Sequence, residues 1–184
     1  VDSAGFDAEG LAKGVELSDY DLRPGDLTEL KQLFEHATTF GSLIQVPEGL
    51  AKKLPALKQL SDATSQDLFV SDALKRLGAL VQQAELLAAQ YDAVVANPPY
   101  LGNKFQSPVL KKYLNDNYKG YEKDFFSAFI DRNFTFSKKH GYLGVMSPQV
   151  WLFISSYEKL RNRLLAKHTI ANLVQLEFGA FWNS

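Results

Sequence analysis

Residues 91–100 read Tyr91-Asp92-Ala93-Val94-Val95-Ala96-Asn97-Pro98-Pro99-Tyr100. The apolar run from Ala93 to Ala96 is typical of a short strand covered on both faces, as in a parallel sheet. Two consecutive prolines cannot donate ladder hydrogen bonds, so the strand must end there. The first proline also holds Asn97 in an extended conformation. Because open α/β sheets bind ligands at the carboxyl ends of their strands, we expect this corner to form a site.

The composition is that of an ordinary globular protein. The chain has 184 residues, 46% hydrophobic and 22% charged, with a formal net charge of −1. That charge gives no general indication of nucleic-acid or membrane binding. The sequence contains no cysteine, which excludes disulfides and thiolate metal sites and is common in the cytoplasm. We find no signal peptide and no apolar run long enough to cross a bilayer, and expect a cytoplasmic protein without a membrane partner.

Helical patterns dominate residues 1–90. The scattered Gly and Asp of residues 1–25 predict a loosely ordered, partly extended start. Apolar residues at helical spacing then predict three helices, which begin near Asp26, Pro47 and Ser71. We therefore expect residues 1–90 to be a mostly helical segment that precedes the corner and carries no strong chemical motif.

Beyond Tyr100 the pattern alternates between strands and helices. An α/β unit over residues 91–184 is expected to have strands at 92–96, 142–146 and 169–176, and helices at about 108–118, 122–137 and 156–167. This order of elements argues for a parallel sheet with right-handed crossovers.

The groups at the corner suit a flat molecule that carries an amino group. The Asn97 side-chain oxygen and the Pro98 carbonyl are two acceptors for the two hydrogens of one amine. Tyr100 offers a ring on which a base could stack, worth roughly 1–3 kcal/mol in single-strand binders. Fixed acceptors would draw the nitrogen toward tetrahedral geometry and free its lone pair, without an acid or base of tuned pKa. A base in a duplex would have to flip out to reach them.

The corner and its flanks resemble a known family. Asn97-Pro98-Pro99-Tyr100 after an apolar strand looks like the catalytic motif of amino-group methyltransferases that use S-adenosylmethionine. The wider chain resembles the PglX family of adenine-specific DNA methyltransferases from BREX-type phage-defence systems. The matching stretches are residues 34–44, 91–102, 124–129, 141–146 and 155–161.

The resemblance implies a fold, a reaction and a set of site residues. The fold would be the catalytic half of a partial Rossmann-like class I methyltransferase sheet, preceded by the helical segment. The reaction would methylate the N6 amino group of a flipped adenine in double-stranded DNA, in phage defence or restriction-modification, with other defence subunits as candidate partners. Asn97, Pro98 and Tyr100 would be catalytic, and Pro99, Lys104 and Trp151 would contact the substrate.

One part of the family pattern is missing. Such enzymes hold the cofactor with a glycine-rich loop after the first strand and an acidic residue after the second, and neither occurs here. Given the family's order of motifs, we expect the main S-adenosylmethionine site upstream of Val1. The chain is then an internal fragment with an incomplete cofactor site, and it is expected to be inactive in isolation.

Each signal also has a plainer interpretation. The corner could be a turn that only ends a strand, or a site that has lost turnover. The cluster of Lys104, Lys111, Lys112, Lys119 and Lys123 could neutralise DNA phosphates or form a solvated helix face. The helical spacing of the phenylalanines from Phe125 to Phe136 favours core packing over base stacking, and half-buried packing is the alternative for Trp151 and Phe153.

Metal binding is not expected, because the three histidines lie far apart in the sequence without acidic partners at ligand spacing. Two other functions remain open. The same corner occurs in methyltransferases that act on protein glutamine or on RNA bases. A non-catalytic DNA-binding or scaffold subunit of a defence complex is the alternative outside enzymes.

Overall fold

The computed structural model describes residues 2–176. The chain divides into two compact units, Val1–Tyr91 and Asp92–Ser184. The sequence predicted this boundary between residues 90 and 91, one residue earlier.

The first unit is helical in its described residues. Its helices are α1 (Ala8–Gly14), α2 (Pro24–Leu33), α3 (Ala37–Phe40), α4 (Glu48–Ser61) and α5 (Leu68–Ala88), with short 3-10 turns at Leu17–Tyr20 and Gly41–Leu43. Helices α4 and α5 pack against each other, and α1 packs against α2 and α5. The core is built from leucines of these helices, among them Leu27, Leu30, Leu57, Leu60 and Leu77.

The start of the chain is more ordered than the sequence predicted. The expectation of a loose segment over residues 1–25 is wrong, because Phe6, Leu11 and Leu22 are almost completely buried. The Asp7 carboxylate caps α1 by accepting a hydrogen bond from the Gly10 N–H at 2.9 Å. The apolar residues are too widely spaced to give a helical period, so only their burial in the folded unit identifies them as core.

Helix α4 runs through Pro55 without interruption. A proline inside a helix removes one hydrogen bond and crowds the preceding turn. Apolar burial stabilises the same helix, because Leu54, Leu57 and Leu60 are buried and α4 packs against α5. The packing of this apolar face therefore offsets the unfavourable proline.

The second unit contains the predicted mixture of strands and helices. Its elements are β1 (Tyr91–Ala96), α6 (Pro108–Asn117), α7 (Phe125–Phe136), β2 (Ser137–Val145) and α8 (Glu158–Lys167), with 3-10 turns at Asn103–Phe105, Gln149–Leu152 and Ser155–Tyr157. Strands β1 and β2 form a two-stranded parallel sheet, and α6 and α7 lie in the crossover between them. The described fold is thus mixed α/β.

A hydrophobic cluster holds the second unit together. It is formed by Phe126 and Ile130 of α7, Trp151 and Tyr157 of the segment after β2, and Leu160 and Leu164 of α8. Phe126 is completely buried at its centre. The predicted core role of the phenylalanines of α7 is confirmed for Phe125, Phe126 and Phe136, which are all buried.

Two expectations about strands are wrong for the described residues. Residues 169–176 were predicted to be a strand, but they have no regular secondary structure and Val174 is 77% exposed. Strand β1 was predicted to be covered on both faces, but Val95 is 87% exposed. The physical reason is shared: a strand needs a paired neighbour and a covering layer, and the described sheet has only two strands.

None of the helices within residues 2–176 combines the length and the apolar character that a membrane crossing requires.

Candidate active site at the end of strand β1

The corner begins at the last rung of the parallel sheet. The Ala96 carbonyl accepts a hydrogen bond from the Met146 N–H at 3.0 Å, and Asn97 follows directly. Residues 97–100 have no regular secondary structure, as expected after two prolines. The corner and the segment after β2 therefore both leave the sheet at its carboxyl edge.

The two predicted acceptors lie at this edge and differ in exposure. Asn97 is exposed, whereas Pro98 is buried. Within the described part of the chain, neither the Asn97 side chain nor the Pro98 carbonyl takes part in a hydrogen bond. Both groups therefore have unused acceptor capacity, and the Asn97 side chain is the one exposed to a ligand.

Tyr100 is half exposed, and its ring packs against a buried aromatic residue. Its exposed fraction is 51%, which leaves ring surface open for a stacking partner. Its ring meets Phe126 edge to face, with centroids 6.4 Å apart and planes at 87°. Such aromatic contacts fix ring orientation and contribute about 0.5–1.5 kcal/mol beyond burial. The core phenylalanine thus positions the predicted stacking ring.

The backbone after Tyr100 is bound to the start of α7. The Phe125 N–H donates to the Leu101 carbonyl at 3.1 Å, and the Asn103 N–H donates to the Lys123 carbonyl at 3.2 Å. Gly102 and Asp124 form an antiparallel bridge between these two hydrogen bonds. We call this pairing of residues 101–103 with residues 123–125 the clip. It fixes the chain one residue beyond the corner.

Asp124 is the acidic residue of the clip. Its carboxylate caps α7 by accepting a hydrogen bond from the Phe126 N–H at 3.3 Å. Burial raises the pKa of Asp124, and the hydrogen bond from the Phe126 N–H, together with the nearby backbone N–H groups of Leu101 and Phe125, opposes this increase. The carboxylate therefore lies within the clip and is hydrogen-bonded to the first turn of α7.

The other predicted substrate contacts lie in different surroundings. Pro99 is exposed at the corner, and Lys104 is exposed in the turn Asn103–Phe105. Trp151 is only 9% exposed and belongs to the core cluster. Its indole N–H donates to the Ser147 hydroxyl at 3.0 Å. This placement favours packing for Trp151, and its contact with a substrate stays a prediction.

Comparison with known proteins identifies the family of this chain. Residues 25–181 match the family model described as Eco57I restriction-modification methylase. The chain belongs to this family. The match includes the corner, the clip and all of strand β2, so the predicted resemblance to adenine-specific methyltransferases is confirmed.

Three curated relatives are similar to most of this chain. The adenine-specific methyltransferase BrxX of Escherichia coli O9:H4 (strain HS) is 39% identical over 81% of the chain. The adenine-specific methyltransferase PglX of Lacticaseibacillus casei (strain Zhang) is 27% identical over 91% of the chain. The type II restriction enzyme and methyltransferase RM.Eco57I of Escherichia coli is 27% identical over 78% of the chain. The aligned regions span 12%, 15% and 16% of these relatives, respectively.

The five lysines of the predicted cluster are exposed. Lys104, Lys111, Lys112, Lys119 and Lys123 all reach solvent. Lys112 forms an ion pair with Asp116 one helical turn away. No group of three His, Asp or Glu side chains that could hold a metal ion is found within residues 2–176.

Sequence reasoning overlooked Asp124 and Phe126 as parts of the site. A helix-capping signal was available, because Asp124 directly precedes the apolar residues of α7. Its proximity to the corner depends on the pairing of residues 101–103 with residues 123–125, which local patterns do not reveal.

Proposed function

We propose that this chain is the amine-binding part of an S-adenosylmethionine-dependent DNA methyltransferase that modifies the N6 amino group of adenine. One observation carries the proposal. At the carboxyl edge of the sheet, the Asn97 amide and the Pro98 carbonyl have no hydrogen-bond partner within residues 2–176, and the half-exposed ring of Tyr100 follows two residues later. Membership of the Eco57I methylase family supports the same reaction class.

The chemistry of the corner follows from its acceptors. The exocyclic amine of adenine is a poor nucleophile, because its lone pair is delocalised into the ring. Two fixed acceptors favour the tetrahedral form in which this lone pair is available, and they stabilise the positive charge that develops on nitrogen. Tyr100 would hold the flipped base by stacking, with its own ring supported by Phe126.

The methyl donor is a separate question. S-adenosylmethionine is the donor that we propose for the complete protein, but residues 2–176 do not provide a fitting site. The sequence has no glycine-rich turn that opens a helix after a strand, and the corner residues Asn97, Pro99 and Tyr100 are exposed acceptors and stacking groups rather than a nucleoside cradle. We therefore assign this chain the substrate amine alone, within a Rossmann-like sheet that other strands would complete.

DNA is the favoured substrate. The relatives BrxX and PglX are named as adenine-specific methyltransferases, and RM.Eco57I is named as a restriction enzyme and methyltransferase. By extension we propose double-stranded DNA as the partner of the complete protein, in restriction-modification or phage defence. The exposed lysines near the corner are consistent with contacts to DNA phosphates.

A methyl-transfer assay on the complete protein tests this proposal. The protein would receive labelled S-adenosylmethionine with unmodified plasmid DNA, RNA or a glutamine-containing protein extract. We expect label in DNA, and none in RNA or protein. Label in RNA alone or in protein alone would show that DNA is the wrong substrate class, since the same corner occurs in enzymes that methylate amino groups of other molecules.

A further inference from the structure

We propose that Asp124 is a positioning residue for the corner and acts through the clip. Its carboxylate joins the first turn of α7 to the loop at Leu101–Gly102, and so sets the positions of the Pro98 carbonyl and the Tyr100 ring. This inference rests on the proposed function of the corner, and it adds a residue that does not touch the substrate.

The first support is the reach of the carboxylate. One oxygen of Asp124 accepts from the Phe126 N–H at 3.3 Å. The other oxygen, Oδ2, lies beside the loop, 3.4 Å from the position that a side chain at Gly102 would occupy, and Gly102 pairs with Asp124 across the clip. A single carboxylate thus hydrogen-bonds to the first turn of α7 and lies beside the other partner of the clip. Asp124 is partly buried, so water competes less for these hydrogen bonds than at an open helix end.

The second support is the way the clip encloses the loop. The Leu101 carbonyl accepts from the Phe125 N–H at 3.1 Å and from the Gln106 side-chain amide at 3.2 Å. The Asn103 N–H donates to the Lys123 carbonyl at 3.2 Å. The chain that leaves Tyr100 is therefore held by three hydrogen bonds, and Asp124 lies between the two that belong to the clip.

The third support is the shared origin of the clip and the ring contact. Asp124 caps α7, and Phe126 in the first turn of that helix is the residue that meets Tyr100 edge to face. Phe126 is itself fixed in the core beside Tyr157, with ring centroids 5.5 Å apart. If the clip opens, the Tyr100 ring keeps its contact with Phe126, but residues 101–103 are no longer held to the start of α7.

Two substitutions separate positioning from helix capping. Asp124→Ser keeps a good capping group for α7 but is too short to reach the loop. Asp124→Asn keeps the capping ability, the length and an oxygen acceptor. Both are measured in the complete protein, with kcat and KM for DNA and the melting temperature, beside Asn97→Ala.

We expect Asp124→Ser to lower kcat about ten- to hundredfold, the loss typical of reacting groups displaced by up to an ångström. KM for DNA should stay within about threefold, because no contact to substrate is removed. Asp124→Asn should restore most of kcat, and both variants should melt close to the parent protein.

The outcomes are distinguishable. If Asn97→Ala loses activity while Asp124→Ser keeps the parent kcat, the positioning role is wrong and the proposed function stands. If Asn97→Ala keeps activity, the proposed function itself is wrong. If Asp124→Ser melts much earlier and Asp124→Asn fails to restore kcat, Asp124 is a structural cap rather than a positioning residue.

Discussion

At the scale of single residues, the corner combines hydrogen-bond acceptors with an aromatic ring. Asn97 and the Pro98 carbonyl are unpaired acceptors within residues 2–176, whereas Tyr100 is held by a buried neighbour. The acceptors could be predicted from the residue types alone, since an amide before two prolines must leave the strand. The support for Tyr100 could not, because Phe126 lies 26 positions along the chain and reaches the ring only through the packing of α7.

The stacking role of Tyr100 gives a prediction. Tyr100→Ala should weaken the hold on a flipped adenine by about 1–3 kcal/mol, as for loss of one base-stacking ring. Tyr100→Phe should keep nearly all of it, because the ring and its contact with Phe126 remain. Measuring kcat/KM for DNA methylation in the complete protein checks both values. Equal losses in the two variants would show that the hydroxyl acts, and not the ring face.

At the scale of elements, local signals predicted the helices better than the strands. Pro108 at the first turn of α6 and the apolar face of α5 gave positions close to those observed. Strand 169–176 failed because β structure depends on a partner elsewhere in the chain, and residues 169–176 pair with none in the described sheet. The buried start of the chain was missed for the same kind of reason, since Phe6 and Leu11 are core only in contact with other helices.

Helix α4 carries a prediction of its own. Pro55 is exposed in the middle of this helix, where a proline costs up to about 3 kcal/mol. Pro55→Ala should therefore raise the free energy of unfolding, by about 1–3 kcal/mol after allowing for the greater freedom of the unfolded chain. Denaturant unfolding followed by circular dichroism measures the change. Unchanged or lower stability would mean that the helix is bent around Pro55 in a way that its packing requires.

At the scale of the whole molecule, the candidate site lies in only one of the two units. Val1–Tyr91 is a helical unit with a leucine core, and the corner, the clip and the lysines belong to Asp92–Ser184. The exposed Val95 and Tyr142 of the sheet show that the described residues leave much of its apolar surface open. The sequence could still indicate a candidate site because the corner is continuous at residues 97–100, within the family match over residues 25–181, whereas the rest of a sheet is assembled from distant parts of the chain.

The lysines of the second unit provide a prediction at this scale. Replacing Lys104, Lys111 and Lys119 with Gln should weaken DNA binding and reduce the slope of log K against log salt by about 0.9 for each phosphate that a lysine no longer neutralises. Lys13→Gln, at an exposed site of α1, is the matched control and should change neither value. Titrations of the complete protein with duplex DNA at several salt concentrations measure both. An unchanged slope would assign these lysines to an ordinary solvated face.

The central claim is that Asn97 holds the amine that becomes methylated. The most direct test is mass spectrometry of nucleosides from DNA treated with the complete protein and S-adenosylmethionine, comparing the parent with Asn97→Ala and with the exposed-site control Asn115→Ala. We expect N6-methyladenine with the parent and with Asn115→Ala. For Asn97→Ala we expect a rate about a hundredfold lower, equivalent to about 3 kcal/mol for one preorganised polar group. N6-methyladenine formed at the parent rate by Asn97→Ala would contradict the claim.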